Sequence, residues 1–278
     1  MLKEFNFRLG GIQRKGFDQH NFNYAPENKK ELQDLLEKLI VDRGLNGDFN
    51  DIDTSHITDM SYLFVRKAPN GLGFDDVEQE ICCTNAEKNN LWADFNCDIS
   101  LWDVCNVTDM EGMFIGLSLF NQDISGWNVA KVTNMSFMFQ GADSFCQNIG
   151  DWNVSNVKNM DSMFLRAKSF NCDLSQWNVS HVKYMIAMFR AAESFNGNIS
   201  DWDTSNVKSM YEMFHSAKKF NHSIEIWNVG SVTDMYRMFY NAKSFKQDLS
   251  KWDIHNVESR KDMFVGSGLE GNEPVWYS

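Results

Sequence analysis

Residues 120–144 read FNQDISGWNVAKVTNMSFMFQGADS, and residues 145–169 repeat the pattern as FCQNIGDWNVSNVKNMDSMFLRAKS. The 25-residue period places one tryptophan in each copy, at Trp102, Trp127, Trp152, Trp177, Trp202, Trp227 and Trp252. Two phenylalanine columns share it, beginning at Phe95 and Phe114 and ending at Phe245 and Phe264. A fixed period of this size is typical of arrays in which each copy packs only against its neighbours. The sequence therefore predicts a solenoid.

The period also defines the organisation of the chain. Eight copies are predicted over residues 48–264, and the first has the degraded form DFNDIDTSHITDMSYLF. Phe64 should be followed six residues later by the next phenylalanine, but that residue is Phe95, so an insertion of 25 residues lies within 65–94. We expect residues 1–47 to form an N-terminal segment with a capping helix. Residues 265–278 are expected to form a C-terminal cap.

A helix is predicted just before the first copy. Its apolar residues follow a helical spacing at Leu32, Leu35, Leu36, Leu39 and Ile40. Asn28 is suited to be its N-cap and Gly44 to end it. We expect this helix to cover the apolar end of the array, and a partner-binding helix is the alternative.

Within each copy the pattern predicts one short strand and one short helix. The Trp-x-Val alternation favours a strand. From Val107 onward the apolar residues are spaced 3, 3, 1, 3 and 3 residues apart, which favours about two turns of helix. Stacked copies would pair their strands in parallel and bury continuous columns of Trp, Met and Phe. The predicted fold class is therefore α/β.

Two polar columns also keep the period. Asp or Asn recurs at 98, 123, 148, 173, 198 and 248, and Asn follows most of the repeated phenylalanines. A row of carboxylates could suggest calcium binding or a glycosidase pair. However, Asn148 and Asn198 replace Asp freely, and paired catalytic acids need two distinct environments. We expect both columns to bond the backbone of turns and loops.

Composition and charge limit the classes of partner. The formal net charge of −12 argues against nucleic-acid binding, which needs clustered Lys and Arg, and it leaves room for a basic partner. The first residues, MLKEFNFRLGGIQRKG, contain no apolar run typical of a signal peptide. No stretch approaches the ~18 consecutive apolar residues of a membrane helix. We expect a cytoplasmic protein with reduced cysteines and no membrane insertion.

No enzyme motif stands out. The six histidines are scattered over several phases of the repeat, and no GxxxxGK[ST], GxSxG or HExxH occurs. The pair Cys82–Cys83 and the acidic residues near it could hold a metal, but adjacent cysteines seldom face one ion. We therefore predict a protein without catalytic activity, metal or cofactor. The alternative is a metal-assisted or carbohydrate-active enzyme that uses the 65–94 insertion.

A partner-binding surface is predicted where the copies disagree. The position occupied by Glu111 in the second copy becomes Ile186, Tyr211 and Tyr236 in three successive copies, at an expected exposed helix position. Further aromatic and basic residues stand in neighbouring variable columns, at Phe137, Tyr184, Arg190, Arg237 and Tyr240. Of these, Phe137, Arg237 and Tyr240 are predicted to take part in the contact. Tyr and Arg are frequent anchors of protein interfaces. The alternative is ordinary packing between adjacent copies.

The repeated words DISxWxVSNVTxMxxMFxxAxxFN resemble the repeat of BspA-type leucine-rich-repeat surface proteins. They are also close to the repeat domain of mycoplasma lipoprotein-associated proteins. The segment KKELQDLLEKLI followed by NDIDTSHITDMSYLF resembles that family's N-terminal cap and first repeat. The resemblance spans roughly residues 28–278. It implies a bacterial leucine-rich-repeat-like solenoid, with adhesion or host contact in some relatives and a cell-surface or secreted location as the alternative to the cytoplasm.

Together these features predict a non-enzymatic solenoid for protein–protein recognition. An acidic intracellular inhibitor or immunity-type protein against a basic partner is the alternative within binding proteins. In the recognition solenoid, the contact residues predicted above would bind the partner. In the inhibitor or immunity-type protein, the acidic surface would bind the basic partner.

Overall fold

The computed structural model describes residues 22–65, 92 and 94–277. Helix α1 spans Lys29–Arg43, and a short 3-10 helix spans Val275–Tyr277 near the other end. Turns fill most of the chain between them, and neighbouring copies are joined by isolated parallel bridges such as Asp109↔Asn134 and Asn134↔Asn159. Residues 1–21, the pair Cys82–Cys83 and most of the 65–94 insertion lie outside the described residues.

Helix α1 begins and ends as the sequence predicts. The Asn28 side chain accepts a hydrogen bond from the Glu31 N–H, and the N–H of Gly44 donates to the Ile40 carbonyl. The buried face contains four apolar residues of the same core that runs through the copies: Leu32, Leu36, Leu39 and Ile40. Gln33 donates to the Leu63 carbonyl at 3.0 Å, so the helix is bonded directly to the first copy.

The predicted α/β class is wrong, and the chain is not a leucine-rich-repeat-like solenoid of strands and helices. Between α1 and the C-terminal 3-10 helix, the described residues contain no helix and no strand longer than a single bridge. Each copy instead contains a run of consecutive turns. We call residues Met110–Leu117 and their equivalents in the later copies the turn segment.

The turn segment bonds its backbone in two directions. Alternate N–H groups donate to carbonyls of the next copy, 24 residues further on; in one copy the donors are Met135, Phe137, Phe139 and Gly141. The N–H groups of Met138, Gln140 and Ala142 donate three residues back, to carbonyls in their own copy. Bonds between residues i and i+3 close β-turns, whereas an α-helix needs bonds between i and i+4. The segment is therefore satisfied without a helix or a strand.

This bonding explains why the apolar spacing was misleading. Apolar residues stand at the first and fourth positions of successive turns, as at Met110–Met113 and Phe114–Leu117. A spacing of three residues is close to the 3.6-residue period of a helix, so the two are hard to separate by pattern. The expected Trp-x-Val strand fails for the same reason, because turns close at Ile99–Trp102 and at Val104–Val107.

The turns also need two left-handed residues in each copy. The third position of the turn segment has positive φ in every copy described, and non-glycine examples are Phe137, Ser162, Ala187, Glu212, Arg237 and Asp262. The seventh position has positive φ as well, for example at Arg166 and Asn241. Such backbone is unfavourable for residues with a Cβ, and it persists where surrounding contacts enforce it. Here the ladder of hydrogen bonds between copies enforces it.

The predicted columns of aromatic side chains form a continuous core. Phe139 stacks on Phe145, the first residue of the next copy, at 4.1 Å and on Phe164 of that copy at 5.6 Å. Each tryptophan of the repeated column is buried, and its indole N–H donates to a carbonyl of an earlier copy, as Trp177 does to Ile149 at 3.0 Å. One copy would leave these faces exposed, so the burial depends on neighbouring copies.

Copy one packs on copy two across the long insertion. Asp59 bridges to Asp109, fifty residues away, whereas later copies bridge at 25 residues. The Phe64 and Phe95 rings lie 4.3 Å apart, matching the 4.2 Å between Phe114 and Phe120. The aromatic core thus continues across residues 65–94.

The two polar columns serve the backbone, as predicted. Asp123 accepts the N–H of Ser125 at 3.0 Å, and the equivalent Asp or Asn does the same in the other copies, including Asn148 and Asn198. Where asparagine follows the phenylalanine, its side chain accepts an N–H from the same position of the next copy, as Asn196 does from Asn221 at 2.8 Å. Both columns are structural.

Trp276 ends the array at the C-terminal side. It stacks on Trp252 at 6.4 Å, and its indole N–H donates to the Leu249 carbonyl at 2.8 Å. Tyr277 packs edge-on against Phe264 at 4.9 Å. Leu269 also packs against the core. These contacts cover the last copy with the aromatic and hydrogen-bonding groups that a further copy would supply.

Candidate interaction surface

The turn segments carry the predicted partner-binding residues. The second, third and sixth positions of the segment vary most between copies, and in the turn segment that begins at Met210 they are Tyr211, Glu212 and His215. Because the segment is not a helix, these positions are not the exposed helical sites expected from the sequence. Tyr211, together with Ile186 and Tyr236 in the adjacent copies, is half-buried.

Four of the six predicted residues meet in one group, which we call the tyrosine–arginine cluster: Tyr211, Tyr236, Arg237 and Tyr240. The Tyr211 and Tyr236 rings stack at 5.3 Å with an interplanar angle of 17°. The Arg237 guanidinium lies 4.8 Å from the Tyr236 ring centroid and 5.1 Å from that of Tyr240. Contacts of this kind stabilise a cationic side chain over aromatic faces. The cluster therefore combines packing between copies with a partly exposed surface.

The other two predicted residues lie outside this group. Ile186 stands one copy before Tyr211 in the same column, and its N–H donates to the Asp161 carboxylate at 2.8 Å. Phe137 belongs to a separate small cluster with Ile115, Tyr62 and Val65. The structure thus separates Phe137 from the tyrosine–arginine cluster.

An ionic network adjoins the cluster, and comparison of the copies had picked out its Arg190 but not its Glu212. The Glu212 carboxylate is only 4% exposed, and it lies 3.0 Å from Arg190 and 3.3 Å from His215. Burial raises the pKa of Glu212, but His215 and the positive charge of Arg190 outweigh it and hold the pKa below its ordinary value. The His215 ring in turn packs against Tyr240 at 4.9 Å. In the sequence, the feature that could have indicated this network is the presence of charged side chains at the variable third and sixth positions of the turn segment.

The cluster is tied to the last copy by a further ion pair. The Arg237 guanidinium lies 3.2 Å from the Asp262 carboxylate, and both groups are half-buried. Arg237 is therefore held by two rings and one carboxylate. This arrangement reduces the conformational freedom that a contact residue would lose on binding.

Asp161 is an unusual member of the same column as Ile186, Tyr211 and Tyr236. Its side chain is 6% exposed, and its carboxylate accepts the Ile186 N–H. Burial raises the pKa of Asp161 to about 7, although that hydrogen bond acts in the opposite direction. The carboxyl therefore changes its charge close to neutral pH.

Metal-ligating residues do not converge in the part of the chain that the structure describes. No group of three or more His, Cys, Asp or Glu side chains there could hold an ion. The cysteines in that part are free thiols, at Cys97, Cys105, Cys146 and Cys172. Over the same residues, none of the helices combines the length and the apolar content that crossing a bilayer requires.

Comparison with known proteins identifies a family for the repeats. A family model described as "Mycoplasma protein of unknown function, DUF285" matches residues 84–196 and 172–273, which together cover more than half of the chain. No curated protein and no solved structure matches the chain. On the strength of the repeated sequence and its match over 84–273, the chain belongs to this mycoplasma-associated repeat family.

Proposed function

We propose that this chain is a non-enzymatic protein-interaction module whose contact surface is centred on the tyrosine–arginine cluster. The observation that carries the proposal is the stacked and ion-paired arrangement of Tyr211, Tyr236 and Arg237, with their side chains only half-buried. Tyr and Arg supply much of the binding energy at protein interfaces, because each combines a large flat surface with polar groups.

The fold itself does not require these residues. The second position of the turn segment is Glu111 in one copy and Ser136 in the next, and both copies keep the same turn bonds. The aromatic residues are confined to the later copies. A surface that the scaffold leaves free to vary, and that is held in place before binding, suits recognition of a partner.

Adhesion or host contact is the form of recognition that we propose. The resemblance to BspA-type surface proteins supports it, and the mycoplasma-associated repeat family is compatible with a surface protein. The net charge of −12 supports the second candidate, an inhibitor of a basic partner. The two candidates differ in the partner that they require and in its sensitivity to salt.

The test compares capture by the wild-type chain and by a Tyr211→Ser/Tyr236→Ser variant. Immobilised protein is exposed to host-cell membrane extract and, separately, to lysate of the source cells. Serine is the natural residue of this column at Ser136, so the turns should be retained. Loss of the stacked pair should lower stability by about 1 kcal/mol, so a melting curve must show that the variant is still folded.

Lys261→Ser is the matched control, since Lys261 occupies the same column in the last copy. We expect retention of a specific partner to fall at least about 10-fold in the tyrosine variant, which corresponds to loss of a small hot spot, and to stay unchanged in the control. A membrane-derived partner supports adhesion, whereas salt-sensitive capture of a basic protein supports the inhibitor. Unchanged capture by the folded tyrosine variant contradicts the contact surface.

A further inference from the structure

Three lysines form an exposed column beside the turn segments. Lys158, Lys183 and Lys208 occupy the same position in three successive copies, and all three side chains are exposed. The Lys183 N–H donates to the Lys158 carbonyl at 2.9 Å, and the Lys208 N–H donates to the Lys183 carbonyl at 2.8 Å. Successive backbones joined in this way lie about 4.8 Å apart. We call these residues the lysine column.

The charges of the lysine column are not neutralised within the described part of the chain. No ion pair there involves any of the three ammonium groups, although the chain has a net charge of −12. The residues that follow them directly are uncharged: Asn159, Tyr184 and Ser209. Three like charges this close together repel one another.

A second lysine position shows the contrast. Ten residues further along the copy, Lys168 pairs with Asp143 at 2.6 Å and Lys218 pairs with Glu193 at 2.8 Å. In each case the carboxylate stands at the same position of the preceding copy. The repeat can therefore neutralise a lysine by alternating its column with acids, and the lysine column lacks this alternation.

The fold is better served by another residue at these positions. Other copies carry threonine in the column, and the hydroxyls of Thr133 and Thr233 donate to carbonyls of the preceding copy at 3.2 Å. Lysine gives up this bond and adds repulsion between charges. Neither change helps the copies to stack.

We infer that the lysine column binds a short acidic peptide segment of a partner protein. Three ammonium groups on flexible stems can meet carboxylates on alternate residues of an extended chain, which lie about 6.7 Å apart. Tyr184, 43% exposed, lies next to Lys183 and offers an apolar surface to the segment. This surface uses none of the residues of the tyrosine–arginine cluster and does not depend on the proposed function.

A nucleic acid fits the column less well. Polyanions are held by many phosphate contacts, and this column supplies three lysines and no arginine. A long polyanion would also extend over the rest of a chain with a net charge of −12. A short acidic segment would remain within about one Debye length, roughly 8 Å at physiological salt, of the three ammonium groups.

The test measures binding of fluorescein-labelled hexaglutamate to the full chain by fluorescence anisotropy at low and physiological ionic strength. The variant Lys158→Thr/Lys183→Thr/Lys208→Thr restores the residue found at Thr133 and Thr233. The control variant Lys168→Ser/Lys218→Ser/Lys243→Ser removes three lysines from the other column, where Ser118 is the residue of an earlier copy. Both variants change the formal net charge from −12 to −15, and the control also breaks the Lys168–Asp143 and Lys218–Glu193 pairs.

We expect the lysine-column variant to bind the peptide about 10-fold more weakly, since three exposed charge contacts at about 0.5 kcal/mol each give roughly that factor. The control should change by less than about 2-fold, and higher salt should weaken wild-type binding. Equal losses in the two variants would show an effect of net charge alone and overturn the inference. Absence of wild-type binding at low salt, or tighter binding of a single-stranded RNA decamer, would overturn it as well.

Discussion

Replacing Asp161 with asparagine should make the folded chain more stable at pH 8 and leave its stability almost unchanged at pH 4. The Asp161 side chain is 6% exposed, and burial raises its pKa to about 7 from an ordinary value of 3.8. Between these two pKa values the folded chain keeps a proton that the unfolded chain has released. The free energy of unfolding therefore falls as pH rises through this interval.

The size of the effect follows from the two pKa values. At about 1.4 kcal/mol per pKa unit, the difference corresponds to roughly 4 kcal/mol of stability lost between pH 4 and pH 8. Asparagine is neutral and nearly the same shape, and its side-chain oxygen can still accept the Ile186 N–H. The variant should therefore escape this loss.

Urea unfolding followed by tryptophan fluorescence at several pH values measures the difference between Asp161→Asn and wild type. We expect that difference to grow from near zero at pH 4 to roughly 4 kcal/mol at pH 8. Asp123→Asn is the control, because the hydrogen bond from Ser125 lowers the pKa of Asp123. The ionised Asp123 carboxylate stabilises the folded chain above pH 3.8, and this stabilisation is lost as the pH falls. The Asp123→Asn variant should therefore not gain stability at pH 8. A difference for Asp161→Asn that stays constant across the pH range would refute the reasoning.

Two further predictions concern the stacking of copies. Cys146 interrupts the asparagine column: its own N–H donates to Asn121 at 3.0 Å, but its side chain accepts no N–H from the backbone of the next copy. Cys146→Asn should restore that acceptor and raise the free energy of unfolding by about 1 kcal/mol. Equal stability of the Cys146→Ser and Cys146→Asn variants would contradict this. Gly112 has a φ of +55°, and an added Cβ would lie 2.4 Å from the Tyr62 ring, so Gly112→Ala should lower the free energy of unfolding by about 2 kcal/mol. Gly126→Ala, with nothing within 4 Å of its Cβ position, should change it by less than about 0.5 kcal/mol, and a similar loss at both glycines would refute the steric argument.

The candidate surface could be predicted only in part from the sequence. Comparing copies singled out Tyr211, Tyr236 and Arg237, and the structure brings them together. The same comparison grouped Phe137 with them, although it packs with Tyr62 across the insertion. The comparison of copies also missed the buried Glu212, because the burial of a variable side chain depends on which side chains of the adjacent copies cover it.

The sequence by itself determined the period and the core. A column of identical aromatic residues at a 25-residue spacing can be buried only if copies stack in register, and Phe139 and Phe164 do stack in this way. The helix Lys29–Arg43 was also readable, because its cap residues and apolar face are local features. Both predictions rest on interactions that repeat or lie close together in the chain.

Only the tertiary structure decided the backbone of each copy. In the turn segment, alternate N–H groups donate to the next copy and the others donate to carbonyls three residues back. This alternation of hydrogen bonds forms neither a helix nor a strand. It also forces left-handed backbone on residues such as Phe137 and Arg237, which local preference would not place there. The apolar spacing alone could not reveal this, because turns that repeat apolar residues three positions apart and a helix with a period of 3.6 residues bury nearly the same positions.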